Sequence, residues 1–184
     1  MNSSKLNEKI SERQLALKAG LSRTSLRLLK KGQLNPTLKT LKKIAEASDH
    51  SLEILQYPKN SSADFRYSIP VVSYLTQLEG FGSWKIHFFN FINELVRTKD
   101  SRLFISPPIK KLDKKLQALL AVIVMELCHR NNWPPPLWAD DISSLQHPWF
   151  LSESESLKAS ALLESPLRFK LKNIFILENF FDRV

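Results

Sequence analysis

Two sets of side chains in this sequence could do chemistry. The first is a group of cationic and hydrogen-bonding residues, Arg23, Thr24, Ser25 and Arg27, inside the basic, Leu-rich stretch "QLALKAGLSRTSLRLLKKGQLNP" (residues 14–36). Guanidinium and hydroxyl groups at that density suit recognition of a polyanion better than bond-making. The second set is the scatter of groups that could catalyse or hold a metal. His50, His87, His129 and His147 have no Cys, Asp or Glu at ligand spacing. Cys128 and His129 are adjacent on an expected helix, about 100° apart, so they do not form a nucleophile–base pair. Cys128 reads instead as a small buried hydrophobe. Asp140-Asp141 and Glu153 with Glu155 read as caps or exposed charge, and "GFG" at 80–82 lacks the further glycines and Lys of a phosphate loop. The expectation is no catalytic residue, no metal and no cofactor, hence no enzyme. The rival is a site assembled from dispersed residues such as His87, Glu126, His129 and Asp140.

Charge and aromatics divide the chain. Of the formal net charge of +9, the first 60 residues carry +7, from twelve Lys and Arg against five Asp and Glu. Aromatics run the other way, with Tyr57 alone in the first 60 and seventeen beyond. A basic, aromatic-poor unit therefore precedes a nearly neutral, aromatic-rich one, and the polar "PKNSSAD" between them reads as a linker. The expected division is 1–57, a linker at 58–64, and 65–184. The longest apolar run, "ALLAVIVM" at 118–125, is far short of the roughly 20 residues that span a bilayer. No secretory signal opens the chain, and one cysteine cannot form an internal disulfide. A soluble, cytoplasmic protein without membrane contact is expected.

The elements that must position the basic group read as short helices over residues 3–55. Ser11 precedes "ERQLALKA", and Gly20 breaks that run. Ser22 can cap a second helix, "RTSLRLLKK", with Leu26 and Leu29 on one face together with Leu21. Gly32 suits the left-handed position after it. Asn35-Pro36 reads as a cap followed by Pro in the first turn. The next helix, "TLKTLKKIAEA", turns Leu38, Leu41, Ile44 and Ala45 inward and Lys39, Lys42 and Lys43 outward. A short turn "SLEIL" closes the set. Beyond the linker the pattern stays helical, with long apolar segments at 84–97 and 112–129 and a helix at 152–165. "LFI" (103–105) and "IFIL" (174–177) are candidate strands, and "HPWF" (147–150) is a loop anchored by Trp149 and Phe150. The core candidates are Trp84, Ile86, Phe88, Phe89, Phe91, Ile92, Leu95, Leu119, Leu120, Ile123 and Val124.

A turn between two helices needs a small residue at the crossing, a residue free to take positive φ, and apolar contacts behind the second helix. Ala16, Gly20 and the leucines at 21, 26 and 29 supply these in order. At this point residues 5–55 resemble the Cro/repressor-type (lambda-repressor-like) helix-turn-helix family, and "GQLNPTLKTLKKIAEASDHSL" continues the resemblance past the two-helix core. It implies a five-helix DNA-binding domain at the N-terminus; with the helical pattern beyond the linker, the expected fold is mainly α, that domain being followed by a larger, mostly helical C-terminal one. It implies that the helix after Ser22 lies in the major groove, with Arg23 and Arg27 on guanine edges and Thr24 and Ser25 on bases or phosphates. It further implies phosphate contacts from Lys31, Gln33, Asn35 and Lys39. The sequence departs from the family by having Lys30 and Lys5 where an acid and an Arg are usual. The tail at 157–184 faintly resembles small bacterial regulators paired with a nucleotidyltransferase-like toxin. The reading is a repressor of an operator in double-stranded DNA, acting as a homodimer or with such a toxin as partner. An effector-sensing repressor is the alternative.

Overall fold

A computed structural model describes residues 10–52, 54, 62–152 and 154–182. The chain divides into two compact units, Met1–Lys59 and Asn60–Val184.

In the first unit three short helices are described: α1 (Glu12–Ala19), α2 (Arg23–Lys30) and α3 (Leu38–Ala47). Ser11 starts α1 with a reciprocal capping box: its hydroxyl accepts from the Gln14 N–H, and the Gln14 amide oxygen accepts from the Ser11 N–H. Among the described residues of this unit, Ala16, Ala19 and Leu26 are the buried apolar ones. Three helices of eight to ten residues enclose little volume, which corrects the expected inward set. Ile44 and Ala45 are half-buried, but Leu38 and Leu41 stay exposed. The expected first helix, including Lys5, lies outside the described residues. So do Glu53 and Leu55 of the expected closing turn, in which Ser51, Leu52 and Ile54 are not helical.

The second unit is built on α4 (Ile69–Glu79), α5 (Trp84–Thr98) and α6 (Lys114–Arg130). Helix α6 is buried almost all round. Every residue from Ala118 to Val124 is shut off from water, which accounts for the longest apolar run of the sequence. Asp113 caps it, its carboxylate accepting the Lys115 N–H at 2.8 Å. Phe88, Phe91, Ile92 and Leu95 of α5 share its core. Ile86 lies on the opposite side of α5 and is exposed, against expectation, while Phe89 is half-buried. Ser62 and Asp64, expected at the end of a linker, are fastened to this unit. Arg97 donates to the Ser62 carbonyl at 2.7 Å, and the Asp64 N–H donates to Glu94 at 2.6 Å.

After the short α7 (Leu137–Asp141), strand β1 (Trp149–Phe150) pairs in parallel with β2 (Ile174–Phe175), in the register Trp149↔Ile174 and Phe150↔Phe175. Helices α8 (Glu155–Glu164) and α9 (Leu167–Leu171) lie between the two strands in sequence. The residues expected as a loop in "HPWF" thus form a strand, made by a distant partner and a stacked Phe150–Phe175 pair at 4.8 Å. "LFI", by contrast, joins a 3-10 turn over Ser101–Phe104. Buried Ser165 closes the excursion. Its hydroxyl takes the Ile176 N–H at 2.7 Å, with the Ala161 and Ile176 carbonyls at 2.6 and 2.8 Å.

Candidate nucleic-acid interface

The turn from α1 to α2 is set by Gly20, at φ 63°. Its own N–H reaches the Leu17 carbonyl, and the Leu21 N–H reaches back to Ala16 at 2.9 Å, the double bond pattern that ends a helix in a left-handed residue. Gly32, at φ 69°, does the same after α2, with the Gln33 N–H on the Leu28 carbonyl at 2.9 Å. A side chain at either glycine would meet open space. The requirement is therefore conformational: an L-residue held there costs about 1–2 kcal/mol.

Ser22 caps α2, its hydroxyl accepting the Ser25 N–H at 2.9 Å. Leu26 is buried, and Leu28 and Leu29 are half-buried. These contacts fix the helix about its axis and leave Arg23, Thr24 and Arg27 exposed, the two arginines one turn apart on one face. Ser25 is half-buried, and its hydroxyl lies 2.8 Å from that of Ser22, so it takes part in the cap. Lys31, Gln33 and Asn35 are exposed in the turn beyond α2. The cap of α3 is Thr37, whose hydroxyl accepts the Thr40 N–H at 3.2 Å. This corrects the expected Asn35-Pro36 cap: Pro36 precedes the cap residue instead of opening the helix. Lys39 stands exposed in the first turn of α3.

Lys30, one of two like charges by sequence, has an acid after all. Its ammonium lies 2.9 Å from Glu12 of α1, tying the start of α1 to the end of α2. The bond and charge of Lys30, with smaller contributions from Arg27 and Arg23, hold the Glu12 carboxyl below the ordinary carboxylate range. The pair is half-exposed and water-screened, so it orients more than it stabilises. Periodicity could not find it, because the partners are eighteen residues apart. Across the described part of this unit nine exposed Lys and Arg face three acids. That surplus is the field of a surface for a polyanion.

The groups named for a dispersed enzyme site have other partners or face water. His87 is buried with its Nε2 donating to Glu79 at 2.8 Å. Glu126 is buried with Arg130 at 2.9 Å and Arg168 at 3.6 Å. His129 and Asp140 are exposed. Among the described residues no cluster of three or more His, Cys, Asp or Glu could hold a metal ion, and no helix is long and apolar enough to cross a membrane.

Two helices joined by a glycine turn, the second anchored by a leucine and presenting arginines outward, define a helix-turn-helix DNA-binding unit. Residues 5–53 match the sequence model of the helix-turn-helix family, and this segment belongs to it. The chain is accordingly a DNA-binding transcription regulator by class. No curated protein and no solved structure matches it.

Proposed function

We propose that this regulator is a sequence-specific repressor. Residues 1–57 read the operator, and residues 65–184 bring two copies together on paired half-sites. The observation that carries the reading is the exposed face of α2, where Arg23, Thr24 and Arg27 have no role in packing the unit. With α2 in the major groove, Arg23 and Arg27 take guanine O6 and N7. Thr24 takes a base edge or a phosphate, and Ser25 supports the start of α2 from within the cap. Lys31, Gln33, Asn35 and Lys39 grip the backbone on either side of the turn, where the N-terminus of α3 adds its partial positive charge.

The test is operator affinity against random duplex for Arg23→Ala, Arg27→Ala and Lys42→Ala in the full chain. Loss of the arginines should cut the specificity ratio about 5- to 150-fold each, whereas Lys42→Ala should weaken both duplexes alike. If Lys42 carried the discrimination, the assigned register of α2 would be wrong.

A second reading, an effector-responsive repressor, is favoured by one feature of the second unit. An open cleft of about 560 Å³ is lined by Phe104, Ile105, Trp133, Pro136, Leu137 and Trp138. A small aromatic effector there would quench tryptophan emission and change operator affinity together. The antitoxin role rests on the tail at 157–184 alone, and its test is whether the neighbouring gene encodes a toxin that this chain neutralises.

A further inference from the structure

Two left-handed helix ends shape the open cleft of the second unit. Helix α5 ends on Lys99, at φ 52°, and the turn after α6 passes through Asn132, at φ 54°. The Trp133 N–H returns to the Cys128 carbonyl at 2.8 Å, which closes α6 and leads the chain into three prolines. Trp133 lies against Phe104, with ring centroids 6.1 Å apart and planes at 29°. The Trp138 indole N–H donates to the Phe104 carbonyl at 2.9 Å, tying a second indole to the same turn. Both indoles keep part of their surface in water. These side chains line the cleft of about 560 Å³, a size ordinary for small-molecule sites. Ring contacts, backbone bonds and prolines fix its walls, so it is preformed.

The lining is apolar except at one place. Lys99 is its one charged residue, and Ser101, two positions on, adds a hydroxyl. Among the described residues neither group has a hydrogen-bond or ion-pair partner, and the adjacent Asp100 is taken up by Arg102. Glycine or asparagine usually ends a helix in the left-handed region. A lysine there accepts a conformational cost and sets an exposed cation beside the indoles. No Asp or Glu lines the cleft, and Pro107, Pro134 and Pro136 bring no N–H to it. A phosphate, with three oxygens to satisfy, would find too few donors, whereas the two oxygens of a carboxylate match one ammonium and one hydroxyl. We propose that the cleft binds a small aromatic carboxylate, its ring on the Trp133 and Trp138 indoles and its carboxylate on Lys99 and Ser101. The inference rests on the effector-responsive reading for its consequence at the operator.

The experiment is titration of the full chain with 3-phenylpropionate and with its neutral amide, 3-phenylpropanamide, both transparent where tryptophan is excited. Tryptophan emission reads binding, and operator affinity is measured with and without each probe. The acid should bind about tenfold more tightly than the amide, as one partly exposed charge-assisted hydrogen bond predicts. Lys99→Gln should remove that preference and leave amide binding unchanged. Leu137→Asp, at a lining residue 84% exposed and so outside the core, should reverse the preference with an unchanged thermal midpoint. Adenosine monophosphate should bind more weakly than the acid. No emission change with either probe, equal binding of acid and amide, a preference that survives Lys99→Gln, or tighter binding of the nucleotide overturns the proposal. If the acid binds as stated while operator affinity stays the same, the site stands and the effector-responsive reading fails.

Discussion

Replacing Leu26 by alanine should melt the DNA-binding unit ahead of the rest of the chain. Leu26 is the one leucine among the described residues of Met1–Lys59 whose side chain is shut off from water, and its companions there are Ala16 and Ala19. Buried Leu→Ala changes cost about 2–5 kcal/mol, with larger losses where the surroundings cannot close the hole. Two alanines offer little to close it, so about 3 kcal/mol is a fair expectation. A unit of some fifty residues holds on the order of 3–7 kcal/mol in all. The change removes about half of that and lowers the unit's midpoint by about 12–24 °C. The four tryptophans, Trp84, Trp133, Trp138 and Trp149, all lie in Asn60–Val184. Tryptophan emission therefore reports the second unit alone, while far-ultraviolet dichroism reports both. In the variant, part of the helical signal should be lost at low temperature with no change in emission, and operator affinity should vanish over the same interval. One coincident transition at the wild-type midpoint by both probes would refute the assignment of Leu26 as the centre of that core.

Three further outcomes are expected. Gly20→Ala should destabilise the first unit by about 1–2 kcal/mol through its left-handed φ, although a methyl group fits the space, and thermal melts with Gly82→Ala as control will read it. Glu94 is held below the ordinary carboxylate range by its bond to Arg97, with the Asp64 N–H adding to it and burial opposing. Its contribution is therefore present above the unfolded carboxylate pKa and lost as pH falls through the lowered native value. Glu94→Gln should cost about 2 kcal/mol near pH 7 and progressively less as pH falls through the lowered native value, and parallel denaturant titrations that show a pH-independent gap would contradict this. Burial pushes the Cys128 thiol up to about 11. A disulfide reagent at neutral pH should label the native chain at least 100-fold more slowly than the unfolded chain, and equal rates would mean that α6 opens readily.

The glycine turns were legible because their cause is local: one residue at positive φ, with a Ser cap two residues after Gly20. The long helices were legible within a few residues because their apolar runs have no internal Pro or Gly. What could not be read depends on residues far off in sequence. Nothing in "LKTLKK" tells whether another element covers Leu38 and Leu41, and two-residue strands exist only by virtue of a partner twenty-five positions on. The choice of Thr37 over Asn35 turned on which hydrogen-bonding side chain lay one residue before the first helical N–H groups. Of the candidate site, the exposure of Arg23, Thr24 and Arg27 was legible from Leu26 and Leu29. The diversion of Ser25 to its neighbour's hydroxyl, and the pairing of Lys30 with Glu12, required the fold.

The parallel pairing of Trp149-Phe150 with Ile174-Phe175 makes residues 151–173 a closed excursion that leaves the core and returns beside its starting point. Among its described residues, Ala161, Phe169 and the Ser165 knot tie it to what lies below, together with Arg168 beside Glu126 of α6 and the bonds of Lys172 and Asn173 to the Ile142 and Leu145 carbonyls. The side chains of Leu163, Leu167 and Leu171 are exposed and outside those ties, so polar residues should replace them without loosening the parallel pair that closes the excursion.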